Sequence, residues 1–284
     1  MDDGLNALYR EKILNVLKFS ISFFEKNDIR WFIACGSAIG AIRHKGIIPW
    51  DDDIDIYMPR SDYNKLISIR DKMLEDGYRF VYLNDPGYPY AFGKIMDMNT
   101  TVWQERRYPF NVGCYVDIFP LDLTSSGMMS FSKKWRKFRD AFSLYRAKIS
   151  NVSFSGLLND IKKHRSDTFK VIPIKVMLLF KSRERLLNRL LAMEKTWNAE
   201  DGDRYVSYTE AGMYMFPREW FEEYVMMPFE DICVRVPVHY DEYLTYMYGD
   251  YMTPPQENER SGEGPHGKLY IDLDHNIPLS SVKL

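Results

Sequence analysis

Gly36-Ser37-Ala38-Ile39-Gly40-Ala41-Ile42-Arg43-His44-Lys45-Gly46-Ile47-Ile48-Pro49-Trp50-Asp51-Asp52-Asp53-Ile54-Asp55-Ile56-Tyr57-Met58-Pro59-Arg60 is the stretch on which the fold turns. Just upstream, Trp31-Phe32-Ile33-Ala34-Cys35 is a compact apolar run that reads as a strand, ended by Gly36-Ser37. Ser37 then stands near the N-terminus of a short helix over 38–43. Downstream, aspartates alternate with isoleucines, which predicts a second strand over 53–58 that Pro59 stops. Residues two apart on a strand leave the same face, with Cα atoms roughly 6.5–7 Å apart. Asp53 and Asp55 then share one face, while Ile54 and Ile56 turn to the core.

Clustered aspartates repel one another unless a cation sits between them. Hard oxygen ligands suit Mg2+ or Mn2+, which keep positions open for phosphate oxygens and water. A calcium loop does not fit: counted from Asp51, the sixth residue is Ile56 where glycine is required, the twelfth is Asp62 rather than Glu, and Pro59 falls inside. The remaining alternative is a purely structural acidic turn. Gly36 permits close backbone approach to a phosphate, and free N–H groups at a helix start favour anions. Gly36 and Ser37 followed by the aspartate pair therefore read as a phosphate cradle facing a metal site. Metal-assisted phosphoryl transfer usually needs one more carboxylate from another strand. Asp117 in Tyr115-Val116-Asp117-Ile118-Phe119-Pro120-Leu121-Asp122 is the first choice and Asp97 the reserve.

The run from Gly36 to Arg60 resembles the signature of the LicD family. Further similarity lies in Lys94-Ile95, in Val116 to Asp122 and in Tyr248-Gly249-Asp250-Tyr251. The resemblance implies a nucleotidyltransferase-like α/β (α+β) fold, a mixed sheet with flanking helices. It also implies transfer of a phospho-alcohol from a CDP-linked donor, with phosphocholine leading and ribitol or glycerol phosphate as the polyol alternatives. The acceptor it implies is a hydroxyl of a surface glycan or its lipid-linked precursor. By the same resemblance Asp53 and Asp55 are metal ligands, Asp117 matches a third acidic position, as metal ligand or as base, and Gly36 and Ser37 match the phosphate-binding turn. Arg43, His44, Lys45 and Lys94 are taken as phosphate partners, and His266 as a tail residue within reach of the cleft. Nucleotidyl transfer from CTP is the enzymatic rival, and a non-catalytic binder that kept the fold is the other. A choline-bearing donor would call for an aromatic cage. With 20 Tyr and 6 Trp the chain has many candidates, Trp103, Tyr108 and Tyr115 among them.

Outward from this centre, apolar residues at helical spacing predict a helix over 5–26, and strands are expected near 78–83, 92–97, 115–119 and 232–238. A helix over 240–247 and an extended tail over 253–267 follow. The character changes near Met128. Between Phe131 and Lys195 there are 17 Lys and Arg against five Asp and Glu, so that stretch carries +12 and the rest of the chain −14. The expected organisation is a catalytic core over 1–127, a basic helical insertion over 128–200 and a C-terminal α/β segment over 201–284. The basic helices are either solvated faces or a platform for an anionic partner such as acidic phospholipid.

Composition sets the outer bounds. The 284 residues are 45% hydrophobic and 27% charged, which suits a globular enzyme, and a net charge of −2 gives no reason to expect nucleic acid. Cys35, Cys114 and Cys233 lie far apart, so neither a zinc cluster nor a disulfide framework is expected. The acidic start, Met1-Asp2-Asp3, does not resemble an export signal, and the most apolar run, Val171 to Phe180, is interrupted by Pro173 and Lys175. A cytoplasmic protein is expected, with peripheral contact at the inner membrane face as an option.

Overall fold

The structure, a computed structural model, describes residues 3–151, 178, 180–199, 201–256, 260 and 268–282. Helix α1 (Asp3–Lys26) buries Tyr9, Ile13, Val16, Leu17 and Phe24 along one stripe and lies across the sheet. That sheet is mixed and seven-stranded: β1 (Phe32–Ile33), β2 (Asp55–Pro59), β3 (Tyr78–Val81), β4 (Gly93–Asp97), β6 (Tyr115–Thr124), β7 (Arg204–Val206) and β8 (Met215–Pro217). Its order is β1-β2-β6-β4-β3, and β7 and β8 extend it from the far end of β6. β2 and β6 run parallel; the other pairs are antiparallel. The α/β (α+β) class expected from the sequence holds.

Two local boundaries differ from expectation. β2 starts at Asp55 rather than Asp53, because its neighbour β1 runs for only two residues. Past β1, the Ala34 N–H still reaches the Asp55 carbonyl at 2.8 Å, and then Cys35 at φ +50° turns the chain away. Helix α2 accordingly spans Cys35–Ile39, earlier than predicted, and passes into a π-helical turn over Gly40–His44. That wider turn brings Gly40 against Gly46: a Cβ at position 40 would lie 2.4 Å from the Gly46 carbonyl oxygen. Only glycine permits so close a crossing.

β6 is also longer than the expected 115–119, since its second half recruits β7, with Asp122 opposite Val206 and Leu123 opposite Tyr205. Helix α3 (Arg60–Ile69) leaves β2 directly, and its first residue forms a buried two-pronged pair with Asp122 of β6 at 2.7 and 3.0 Å. Helices α4 (Met128–Ile149) and α5 (Arg183–Glu194) build a second core with Phe131, Phe138, Tyr145, Leu187, Leu190, Trp197 and Tyr208. Lys133, Arg136 and Lys137 of α4 are exposed, while residues 152–177 of the basic stretch lie outside the described residues.

Beyond β8 come the hairpin of β9 (Tyr224–Phe229) and β10 (Ile232–Pro237) and helix α6 (Tyr240–Tyr248). Strand β11 (Tyr270–Asp272) returns to pair with β5 (Thr101–Trp103). No helix among the described residues is long and apolar enough to cross a membrane.

Candidate active site

The parallel register of β2 and β6 sets Asp55 opposite Asp117, and the antiparallel register of β4 sets Lys94 opposite Asp117 on the other side. Three charged residues thus form one row across three central strands. Asp53, two residues before β2, stays in line because the Ile54 carbonyl accepts the Asp117 N–H at 2.8 Å. Ile54 and Ile56 are fully buried on the opposite face, as their alternation predicted. The carboxylates of Asp53, Asp55 and Asp117 offer oxygens within 4.8 Å of one another, and Asp51, Asp52 and Asp53 form a second such group sharing Asp53.

Asp53 and Asp117 are only 7% and 4% exposed. Burial first, then the charges of Asp53 and Asp117, holds the Asp55 carboxyl well above the usual carboxylate range. Burial and Asp53 likewise push Asp51 up to about 7. Such a cluster favours protons or a cation, and its all-oxygen donor set suits Mg2+ or Mn2+. The residues fit the divalent ion that the sequence pattern implies.

Lys94 was expected to meet phosphate. It is 1% exposed, and its ammonium donates to Oδ1 of Asp117 at 2.5 Å beneath the Tyr115 ring, 3.6 Å from the ring centroid. Burial pulls its pKa down and Asp117 opposes that shift. Lys94 therefore orients a carboxylate from below and does not face the cleft.

Ser37 accepts the Asp55 N–H on Oγ at 3.0 Å, replacing the backbone partner that β1 is too short to supply. Gly36 makes room for the acid loop, since a Cβ there would lie 2.7 Å from Oδ2 of Asp51. The loop itself is clamped from two sides. Arg10 of α1 donates to the carbonyls of Ile48 and Asp51 at 3.1 and 2.9 Å. Lys268, whose side chain is fully buried, pairs with the Asp52 carboxylate.

The carboxylates open into a cleft of about 350 Å³ whose lining includes Cys35, Tyr90, Phe92, Phe119, Arg139, Phe142, Arg146, Glu210, Tyr214 and Tyr248. Arg43, His44 and Lys45 do not line it. The Arg43 guanidinium donates to the Tyr251 carbonyl and lies 5.8 Å from the Trp50 ring centroid. His44 packs edge-on against that ring, and Lys45, at φ +58°, offers its carbonyl to the Glu230 N–H at 2.7 Å. These three shape the turn after α2. Asp97 accepts from the Asn99 N–H at 2.9 Å as a turn cap. His266 lies outside the described residues.

The three aromatic residues singled out from sequence are buried away from the cleft lining: Tyr115 over Lys94, Tyr108 over Arg146 at 4.4 Å, and Trp103 hydrogen-bonded to the Glu105 and Tyr108 carbonyls. The cleft takes its rings from elsewhere. Phe119 and Tyr248 sit inside segments that already carried the family resemblance. Arg139, Phe142 and Arg146 of α4 follow at steps of three and four, which puts them on one helix face. That spacing is legible in the sequence, but the surrounding lysines and arginines do not mark which face of α4 meets the cleft.

Glu210 carried no such signal. It is 8% exposed; its Oε1 accepts from the Tyr57 hydroxyl at 2.5 Å and the Cys35 thiol at 3.5 Å, and burial pushes its carboxyl up to about 7. Oε2 is covered from solvent and has no hydrogen-bond partner.

Residues 28–159 match the family model described as LicD/FKTN/FKRP, nucleotidyltransferase domain. Over 261 residues, covering 87% of this chain and 91% of the relative, the sequence is 28% identical to the lipopolysaccharide cholinephosphotransferase LicD of Haemophilus influenzae. Shorter matches at 36% identity cover 70 residues of an uncharacterized protein of Rickettsia prowazekii (25% of this chain, 26% of the relative) and 67 residues of one from Rickettsia typhi (24% and 22%).

Proposed function

We propose that this chain transfers phosphocholine from a CDP-linked donor to a glycan hydroxyl and releases CMP, a reading supported by the match of residues 28–159 to the nucleotidyltransferase-domain model of LicD/FKTN/FKRP. The observation that carries this reading is the row of Asp53, Asp55 and Asp117, three carboxylates within 4.8 Å at the mouth of an aromatic-walled cleft. The long match to a cholinephosphotransferase supports the choice of group transferred.

In this reading Asp53, Asp55 and Asp117 hold Mg2+ or Mn2+. When bound, such an ion neutralises charge on the donor diphosphate as CMP leaves. Lys94 pairs with Asp117 and fixes its rotamer. Ser37 holds the start of β2, and with it Asp55, in register. Arg139, placed over Trp135 at 5.2 Å and lining the cleft, supplies positive charge to phosphate oxygens. Arg146 is held by Glu105 at 2.7 Å and forms the adjoining wall. The acceptor is a surface glycan or its lipid-linked precursor, and the exposed Lys133, Arg136 and Lys137 give α4 an outer face suited to an anionic membrane.

Product analysis tests the reading. Wild-type protein with CDP-choline, Mg2+ and a hydroxyl acceptor should release CMP, while Asp53→Asn and Asp55→Asn should abolish release without unfolding. Release of pyrophosphate from CTP would instead assign nucleotidyl transfer. A thermal-shift panel of CDP-choline, CDP-ribitol, CDP-glycerol and CTP, with Mg2+ and with chelator, ranks the donors, because a ligand of the native state raises the melting temperature with its affinity.

A further inference from the structure

The cleft has two chemically different walls. One is the carboxylate row; the other carries the rings of Phe119, Phe142, Tyr214 and Tyr248 and the acid Glu210, with Arg139 and Arg146 of α4 completing the lining. Among the described residues no Lys, Arg or His pairs with Glu210, and its Oε2 has no hydrogen-bond partner although the residue is 8% exposed. An acid left in that state is costly, and a ligand that brings a positive charge relieves it. The ligand charge that suits this wall is one that donates no hydrogen bonds, because Phe119 and Phe142 can accept none in the ordinary sense. Aromatic faces attract a cation through the ring quadrupole. The same fold already hosts one such cation nearby: the Lys94 ammonium lies within 5.1 Å of the ring centroids of Tyr115, Tyr90 and Phe92. A neutral polyol would need hydroxyl partners that Phe119 and Phe142 lack.

We propose that Glu210, with Phe119, Phe142, Tyr214 and Tyr248, forms the subsite for a quaternary-ammonium alcohol, and so selects a choline-type donor over a neutral polyol. This rests on the phospho-alcohol transfer reading for its role in turnover, although the binding of the cation can be measured by itself. Glu210 acts here as the counter-anion behind the rings that the substrate's ammonium faces, while Tyr57 and Cys35 fix its Oε1.

Two experiments decide it. In the first, chelator-treated full-length protein at about pH 8, above the value of about 7 to which burial raises Glu210, is melted with choline chloride and with sodium chloride of equal strength. Wild type should be stabilised by choline and not by sodium, Glu210→Gln should lose that response, and Phe142→Leu should weaken choline affinity by ~3–10-fold. No choline response in wild type, or an undiminished one in Glu210→Gln, overturns the subsite. The second measures CMP release from CDP-choline and CDP-glycerol. Glu210→Gln should raise KM for CDP-choline at least ~10-fold with kcat within about threefold, and leave KM for CDP-glycerol unchanged. A loss of kcat that is equal for both donors would make Glu210 a proton acceptor and not a selector. If wild type releases no CMP from any donor yet responds to choline, the transfer reading fails while the subsite stands.

Discussion

A Cβ at position 36 would lie 2.7 Å from Oδ2 of Asp51, the movable end of a side chain and not backbone. Gly36→Ala should therefore cost under ~1 kcal/mol of stability, because Asp51 can swing aside. Turnover should nonetheless fall about 10- to 100-fold, since displacing an acid in the loop disturbs the carboxylate row. Parallel melting curves and CMP assays separate the two effects. Glu210 gives a prediction of opposite sign. Burial raises its carboxyl from the ordinary 4.5 to about 7, so the folded chain binds the proton more tightly and loses stability as pH rises between those values. Glu210→Gln cannot titrate; ligand-free, it should be more stable than wild type by about 2–3 kcal/mol at pH 8 and no more stable below about pH 4.5. Denaturant curves at the two pH values check this. At this scale the sequence was most readable where partners are local. Asp53 and Asp55 declared themselves by alternation with Ile54 and Ile56. Lys94 and Glu210 did not, because what each one does is decided by Asp117, Tyr57 and Cys35, residues on other strands and on α2.

The junction of β2, α3 and β6 shows how elements are locked behind the site. Arg60 and Asp122 pair through two hydrogen bonds with side chains 7% and 0% exposed, directly beyond the last paired residues of the parallel strands. Removing one partner leaves a buried charge, so Arg60→Met should cost about 3–5 kcal/mol. Arg60→Lys should recover only part of it, because a lysine cannot make the two-pronged contact. Urea midpoints of the two variants test the order. The element types followed from hydrophobic period, and α1 and β4 fell close to their expected bounds. The misplaced boundaries of β2 and α2 lie side by side. A strand of two residues, β1, cannot carry a partner beyond Asp55, and a chain turned at Cys35 enters its helix early; neither length is written in a local pattern.

Across the whole molecule, the acid loop that precedes β2 is held by Arg10 from the first helix and by Lys268 from the segment before β11. Lys268→Met removes the ammonium that lies 4.6 Å from the Tyr9 ring centroid and leaves Asp52 without its cation. We expect a loss of about 2–4 kcal/mol and weaker divalent binding, read by Mn2+ titration, although Lys268 touches no substrate. Overall organisation was the least readable level. The change of composition near Met128 marks the start of α4, yet that helix supplies Arg139, Phe142 and Arg146 to the cleft, and β7 and β8 extend the sheet of the first part. Charge excess and a second apolar core set α4 and α5 apart, while the cleft and the extended sheet join the regions.

The clamp on Asp52 joins positions 216 residues apart. A ribosome therefore delivers the aspartates 216 residues ahead of their fastener. Until that lysine emerges, the nascent protein holds its acids on an unfastened loop. Chains released early, for instance by a stop codon after Gln256, should keep the sheet's circular-dichroism signal but bind Mn2+ poorly. Competence for metal would then report that translation has passed residue 268.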